Sequence, residues 1–182
     1  SIESWHMYEG LNRCRNLLSK FGGHKMAAGL SLPEENLAEF RKAINDTSGI
    51  TEEDLVEKVS IDMQLPFCNV TEGFVKELGV LEPYGKANPK PVFAERKVEV
   101  KSARVLGKNR NVLKMRVKDT GGTEIDAIYF GNVEDFLAYI ETAFGERAQR
   151  NLLAGRGQDI YMSFTYYPDI NEYQGIRTPQ IV

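Results

Sequence analysis

The sequence predicts an α+β protein with two parts, because the spacing of its apolar residues changes along the chain. Before residue 80, apolar residues recur every three or four positions, as on a helix that buries one face. After residue 90 they alternate with polar residues, as in a strand with one buried face. Residues 81–93 (LEPYGKANPKPVF) lie between these patterns and hold three prolines and one glycine. So many breakers exclude a regular element and indicate an ordered linker.

Helices and two strands are expected in the first part. An apolar stripe from Trp5 to Phe21 predicts a helix that ends at Gly22-Gly23, since glycine after the last turn commonly stops a helix. A second helix is expected to open at Pro33, with acids in its first turn near the positive end of the helix dipole. The remaining elements are a buried strand at residues 26–32, a strand at residues 56–65 and a short helix capped by Thr71.

After the linker we predict three strands, a helix and two more strands. The helix follows Asn132, a residue type that caps helices well, and buries Phe136 and Ile140. This order is that of an OB-fold, a five-stranded barrel with a helix between its third and fourth strands. A split α+β domain would show the same pattern. The predicted strands are residues 95–107, 112–119, 123–131, 159–167 and 176–182, with a loop at residues 168–175.

Positive charge is concentrated in one stretch of a chain that is slightly acidic overall. The formal net charge is −3, yet residues 84–118 carry 11 of the 23 Lys and Arg and only two of the 26 Asp and Glu. Such a basic block is typical of a surface that binds a polyanion such as nucleic acid. A solvated pair of lysine-rich strands has the same composition, so the direction in which the charges point has to decide.

An OB-fold binds ligands on the face of its second and third strands and on the loops after its first and fourth strands. Basic side chains follow a phosphate backbone, and an aromatic ring offers a base a surface for stacking. The residues predicted to bind nucleic acid on this face are Lys108 and Arg110 in the first loop, Lys114, Arg116 and Lys118 on strand two, and Asn171, Tyr173 and Arg177 in the second loop.

Residues 21–29 (FGGHKMAAG) place His24 beside two glycines. A metal site is a poor interpretation, because the only other histidine is His6 and no carboxylate cluster lies nearby. A general base would need an orienting partner, and none is visible. Two interpretations stay open from the residues alone. One is a structural turn, and the other is a phosphate contact in which glycine N–H groups face an anion and His24 and Lys25 add donors.

Motifs of a complete hydrolytic centre are missing from the sequence. It has no Asp-His-His segment, no GxxxxGK[ST] loop and no motif that organises a nucleophile. Cys14 and Cys68 lack a CxxC or Cys/His spacing and are expected to be buried free thiols. No apolar run approaches the ~20 residues of a membrane span. We therefore expect no catalytic residue, no metal ligand and no membrane contact.

Several segments resemble one enzyme family. FGGHKMAAGLSLPEENLAEFRKAIN is similar to the DHHA1 domain of the DHH phosphoesterases. LEPYGKANPKPVFA, GKNRNVLKMRVKDTGGTEIDAIYFG and NEYQGIRTPQI are similar to the RecJ branch of that family, the bacterial single-strand-specific 5′-to-3′ exonucleases. The segments cover nearly the whole chain. Two positions depart from the family pattern, with Ala87 in place of an expected glycine and Tyr84 in place of phenylalanine.

The resemblance implies a fold and a function. The fold is a truncated α/β DHHA1 substrate-binding subdomain (residues 1–70), a helix and ordered linker (71–90) and an OB-fold domain (91–182). The function is that of the C-terminal substrate-binding region of a RecJ-type exonuclease in DNA repair and recombination. The OB face would hold single-stranded DNA, and substrate phosphates would contact Gly22, Gly23, His24 and Lys25.

Catalysis in the family implies two Mn²⁺ or Mg²⁺ ions on a domain that would precede this chain, so the chain alone is expected to hydrolyse nothing. The resemblance also implies a cytoplasmic enzyme, with a single-strand-binding protein or a helicase as partners of the whole protein. Two alternatives stay open. One is a stand-alone single-strand-binding OB module, and the other is a DHH-family phosphodiesterase for nanoRNA or cyclic dinucleotides, which would not need a long strand-binding groove.

Overall fold

The structure is a computed structural model that describes residues 2–182. It divides the chain into two compact units, Ser1–Val59 and Ser60–Val182. Each unit has its own hydrophobic core.

Helices and one β-hairpin form the N-terminal unit. Its core consists of Leu11, Cys14, Leu17 and Phe40, all nearly excluded from water. The elements are helix α1 (Met7–Arg13), strands β1 (Lys20–His24) and β2 (Ala27–Ser31), helix α2 (Leu37–Ser48) and the short helix α3 (Glu52–Leu55).

The first predicted helix is wrong in its second half. α1 ends at Arg13, and Phe21 belongs to β1. The apolar spacing continues past the helix because Phe21 packs on the same core as Leu11, although it reaches that core from a strand. Gly22-Gly23 therefore lies within β1 and does not stop a helix.

The next two elements follow the sequence more closely. The strand predicted at residues 26–32 is confirmed as β2, but it is largely exposed where burial was expected. The helix that opens after Pro33 begins with a 3₁₀ turn and continues as α2. Gly49 ends α2 with a φ of 64°, a left-handed conformation that glycine adopts without a steric penalty from Cβ.

The strand predicted for residues 56–65 is also wrong. Within this range only β3 (Met63–Gln64) forms a strand, and its two residues pair in parallel with the beginning of the strand that follows the linker. Helix α4 (Glu72–Leu78) forms as predicted, and the Thr71 hydroxyl caps it by accepting the Phe74 N–H at 3.1 Å.

Residues after Val59 already belong to the second core. The same cluster as the barrel strands also buries Leu65, Phe67, Val70 and Leu78. The boundary between the two units therefore lies after Val59, before the sequence pattern changes near residue 85. The limits predicted for the DHHA1 part, at residue 70, and for the OB domain, at residue 91, stay a prediction.

Cys68, in the 3₁₀ turn with Phe67, is exposed, so the expected burial holds for Cys14 alone.

The second unit is a barrel whose strands pair in the order of an OB-fold. β4 pairs antiparallel with β5 and β7, β5 with β6, and β8 with β9, whereas β6 and β9 are parallel. The predicted OB-fold and α+β class are confirmed. The six strands are β4 (Phe93–Leu106), β5 (Val112–Lys118), β6 (Glu124–Tyr129), β7 (Tyr161–Tyr166), β8 (Pro168–Tyr173) and β9 (Ile176–Ile181).

The fourth strand of the OB-fold consists of β7 and β8 together. The loop predicted at residues 168–175 is wrong, because β8 and a two-residue turn occupy it. Gln174 and Gly175 in that turn have φ values of 51° and 79°, as a type I′ hairpin requires. Tyr167, which alone separates β7 from β8, exchanges two backbone hydrogen bonds with Val182, at 2.8 and 2.9 Å.

β4 is 14 residues long and contains two irregularities. Its register with β7 shifts between Glu95 and Val98, and its register with β5 shifts between Val100 and Ser102. Lys97, inside the first shift, has a φ of 54°. Such β-bulges bend a strand and increase its twist, which lets β4 pair with β7 along its first half and with β5 along its second.

Two helices, α5 (Val133–Phe144) and α6 (Glu146–Leu153), cover the barrel between β6 and β7. Ile140 and Leu152 are fully buried. The predicted cap is confirmed, since the Asn132 Oδ1 accepts the Glu134 N–H at 3.0 Å and the Asp135 N–H at 3.3 Å.

A buried carboxylate holds the segment before α4 on the barrel. Asp119, at the end of β5, is 5% exposed. Its Oδ2 accepts the Phe67 N–H at 3.0 Å, and its Oδ1 accepts the Thr123 N–H at 2.8 Å. One side chain therefore satisfies backbone donors from the 3₁₀ turn before α4 and from the β5–β6 turn.

Replacing Asp119 should destabilise the chain according to the number of acceptors removed. We expect Asp119→Ala to lower the free energy of unfolding by roughly 3 kcal/mol, because two N–H groups lose their partner. Asp119→Asn keeps one carbonyl oxygen and should cost less. Urea unfolding monitored by circular dichroism measures both, and equal losses would show that the two bonds do not act separately.

Candidate nucleic-acid interface

A groove of about 800 Å³ crosses the outer face of the barrel. Its floor is formed by β4, β5 and β6, and the β8–β9 hairpin supplies one wall through Tyr173, whose side chain is largely exposed. This is the face on which OB-folds bind their ligands. The residues that line it are Ser102, Arg104, Leu106, Lys114, Met115, Arg116, Asp126 and Tyr173.

Strand alternation places the charged side chains in this groove. Leu113, Met115 and Val117 are buried in the barrel, so the residues between them face outward, as the sequence predicts. The register aligns Arg104 with Lys114 across β4 and β5. It also aligns Ser102, Arg116 and Asp126 in one row across all three strands.

Most of the cations on β5 are held by acids on β6. Lys114 Nζ lies 2.7 Å from Asp126 Oδ2, and Arg116 Nη1 lies 3.1 Å from Asp126 Oδ1. Arg116 Nε lies 3.3 Å from Glu124 Oε2. Partial burial of Asp126 opposes its ionisation, but the hydrogen bonds from Lys114 and Arg116 outweigh burial and lower the pKa of this carboxyl. The strand face is therefore less positive than its composition suggests.

Several cations on this side of the barrel have no such partner. Arg104 lines the groove, and it forms no ion pair with any residue in the range 2–182. The same holds for Lys108 and Arg110, which lie exposed in the loop between β4 and β5, as predicted. An unpaired cation can bind an anion directly, whereas a paired cation must first break its ion pair with the carboxylate, which reduces the net binding energy.

The structure brings three of the eight predicted residues together in the groove: Lys114, Arg116 and Tyr173. Lys118 stands at the end of β5 opposite Glu124, outside the groove lining. The second predicted loop does not exist as a loop. Asn171 and Tyr173 are in β8, and Arg177 is in β9, where it forms ion pairs with Glu72 and Glu172.

Sequence reasoning missed Ser102, Arg104 and Asp126. Arg104 lies between inward-facing Ala103 and Val105, so strand alternation alone would have found it. The bulge between Val100 and Ser102 breaks that alternation for the residues before it. The pairing of Asp126 with two cations depends on the register of β5 and β6, which the sequence does not contain.

The glycines of the β1–β2 hairpin have different surroundings. Gly22 pairs across the hairpin with Gly29, and a Cβ at either position would meet nothing within 4 Å. Gly23 has a φ of 149°, and a Cβ there would overlap Ala27 and Ala28. Packing therefore requires Gly23. Gly22 and Gly29 instead leave bare backbone on an open surface, where glycine often marks the close approach of a ligand or another backbone.

A shallow groove of about 360 Å³ runs over this bare backbone. Of the four residues predicted to contact phosphate, only Gly22 lines it, and Lys20 and Ser31 are lining residues that the sequence reasoning missed. His24 Nδ1 accepts the Met26 N–H at 3.3 Å, so the histidine has the turn-stabilising contact that one of the two open interpretations expects. Lys25 lies in the turn itself.

Across residues 2–182 the structure contains no group of three or more His, Cys, Asp and Glu side chains placed to hold a metal ion. None of the helices in the same range is both long and apolar enough to cross a membrane.

Comparison with protein families agrees with this architecture. The family model described as the RecJ OB domain matches residues 61–182, which include the whole barrel, and the DHHA1 domain model matches residues 1–48. The chain belongs to the RecJ family. The OB model of RecJ begins almost where the second compact unit begins, and the DHHA1 model covers the hairpin with the glycines.

Curated relatives carry the name single-stranded-DNA-specific exonuclease RecJ. The Haemophilus influenzae protein is 36% identical over 140 residues, or 71% of this chain and 24% of that protein. The Bacillus subtilis protein is 30% identical over 136 residues, or 74% of this chain and 17% of that protein. The Escherichia coli protein is 30% identical over 189 aligned positions, which cover all of this chain and 29% of that protein. The chain thus spans less than a third of these RecJ proteins.

Two solved structures share the fold. RecJ from Thermus thermophilus in complex with Mg²⁺ superposes over 100% of this chain and 25% of that chain, with a TM-score of 0.66 and 21% identity. The same enzyme in complex with Mn²⁺ superposes over 95% of this chain, with a TM-score of 0.61 and 20% identity.

The ion pairs of Asp126 should make part of the stability depend on pH. A carboxyl whose pKa is lowered by folding contributes stability above its unfolded pKa of about 3.9, and this contribution disappears as the pH falls through the lower folded value. We therefore expect Asp126→Asn to lower the melting temperature more at neutral pH than at pH 3. Thermal melts from neutral to acid pH measure the difference, and a loss that is the same at all pH values would contradict it.

Proposed function

We propose that this chain is the substrate-binding C-terminal region of a RecJ-type exonuclease that degrades single-stranded DNA from the 5′ end in DNA repair and recombination. The curated relatives supply the substrate, because their name specifies single-stranded DNA. The observation that carries the proposal is the groove on the OB face, which combines the unpaired Arg104 with the exposed ring of Tyr173.

Single-stranded DNA suits this groove because the strand has both charge and exposed bases. Phosphates would contact Arg104 first and then draw Lys114 and Arg116 away from Asp126. A base would stack on Tyr173, a contact that tolerates any sequence. The β8–β9 hairpin, which holds Tyr173, would thereby act as one wall of the strand path.

The β1–β2 hairpin would contact phosphates of the substrate. Its bare backbone at Gly22 and Gly29 admits a close approach, and Lys20 and Ser31 lie beside it. The solved RecJ structures contain Mg²⁺ or Mn²⁺. We assign metal-dependent hydrolysis to the part of the RecJ relatives that this chain does not span. The cytoplasm is the proposed location of the enzyme.

The groove is tested by Arg104→Ala in this chain. We expect a fluorescent oligothymidine to bind roughly tenfold more weakly, because a charged donor to phosphate is lost. The slope of log affinity against log salt should also fall by about 0.7, the value for one phosphate contact on a single strand. Arg150→Ala is the matched control, since Arg150 pairs with Glu146 on α6 and lines no groove. Equal effects of both variants would refute the groove assignment.

The glycine hairpin is tested in the full-length enzyme that contains this chain. Gly22→Ala adds a methyl group where nothing lies within 4 Å, so we expect normal stability and a nuclease rate on single strands lowered by roughly tenfold. Gly23→Ala should instead lower the melting temperature, because its Cβ overlaps β2. A fully active Gly22→Ala enzyme would show that the hairpin does not touch the substrate.

A further inference from the structure

A second group of exposed aromatic and basic side chains lies outside the groove. Lys97, Tyr139, Tyr161, Met162 and Ser163 line a depression of about 450 Å³ between β4, α5 and β7. The two tyrosines are 53% and 52% exposed. Neither ring packs against another aromatic side chain among the residues that the structure describes. Their faces are therefore open to a ligand.

Lys97 reaches this depression because of the first bulge in β4. The register shift between Glu95 and Val98 leaves Arg96 and Lys97 outside the ladder, and both are exposed. Lys97 has a φ of 54°, in the left-handed region that glycine adopts more easily. If the bulge served only to bend the strand, glycine would adopt this φ with less steric strain than lysine. A lysine in this conformation indicates that its side chain is used, as bulges beside functional sites often redirect a side chain.

β4 carries four cations along the stretch that begins beside the depression and ends at the groove, and we call them the basic stripe. It consists of Arg96, Lys97, Lys101 and Arg104, of which the last lines the groove. The acid on the same stretch is Glu99, and it pairs with Lys101 at 3.1 Å. Within the described part of the chain, the other three cations have no ion pair. Arg96, Lys97 and Lys101 are therefore cations of the basic block that do not line the groove.

We propose that the depression is a second binding site for single-stranded nucleic acid, which we call the β4 subsite. Bases stack on Tyr139 and Tyr161, Lys97 contacts a phosphate, and one strand runs along β4 between this subsite and the groove. The inference rests on the proposed function of the groove. Charge complementarity selects the ligand, since a row of cations of which three are unpaired, with aromatic rings beside it, matches a polyanion that also offers bases.

The length of the bound strand tests the β4 subsite. OB-folds occupy between about 4 and about 16 nucleotides, so a short and a long oligothymidine at these limits separate one site from two. We expect the double variant Tyr139→Ala/Tyr161→Ala to bind the short oligonucleotide like the parent chain. It should bind the long one about tenfold more weakly, because stacked bases are lost. Fluorescence anisotropy measures both affinities.

Two further variants separate stacking from charge and from loss of folding. Lys97→Gly suits the left-handed φ, so it removes the charge without straining the bulge. It should lower the salt slope of the long oligonucleotide by about 0.7 and leave that of the short one unchanged. Phe130→Ala is the matched control, because Phe130 is 66% exposed and lines neither the groove nor the subsite. It should change no affinity.

The possible outcomes distinguish the subsite from the groove. Unchanged binding of the long oligonucleotide by the double variant overturns the β4 subsite, whatever Arg104→Ala does. If the double variant keeps its DNA affinity and loses binding to an acidic peptide, the subsite is a polypeptide site and the inference is equally wrong. If Arg104→Ala affects neither oligonucleotide while the double variant weakens the long one, the groove assignment fails and the shared strand path along β4 is overturned, whereas contact of DNA with Tyr139 and Tyr161 is supported.

Discussion

The barrel depends on the bend of one strand, because β4 has to pair with β7 along its first half and with β5 along its second. A regular strand cannot turn between two neighbours in this way, and the two bulges supply the change of direction. The same bend determines where charge appears. It leaves Arg96 and Lys97 outside the ladder and directs Arg104 into the groove. Curvature and charge placement are therefore one property of this strand.

In the groove, the carboxylate of Asp126 and the phosphates of a bound strand would compete for the same cations. Asp126 forms ion pairs with both Lys114 and Arg116, so an acid within the sheet partly neutralises these two cations. A phosphate backbone has to compete with that carboxylate, which lowers the gain from each contact. Under the proposed function, such a groove would hold a strand without trapping it. This property suits the proposed role, since an exonuclease moves along its substrate.

The N-terminal hairpin offers the opposite kind of surface, since it presents backbone where the barrel presents charge. Gly22 and Gly29 have no steric reason to be glycine, whereas Gly23 has one. Tyr84, at the position where the resemblance predicts phenylalanine, also has a local explanation. The Tyr84 hydroxyl donates to the Leu78 carbonyl at 3.1 Å and lies 3.1 Å from the hydroxyl of Tyr167, so the added oxygen has hydrogen-bond partners.

The sequence by itself determined the two-part architecture, the order of the barrel strands, the helix caps at Thr71 and Asn132, and the outward direction of Lys114 and Arg116. These features follow from local periodicity and capping chemistry, which act over a few residues. Only the tertiary structure decided that Phe21 reaches its core from a strand, that β8 exists, and that Asp126 pairs with two cations. Those outcomes depend on strand register and on contacts between distant segments, and a pattern read along one chain contains neither.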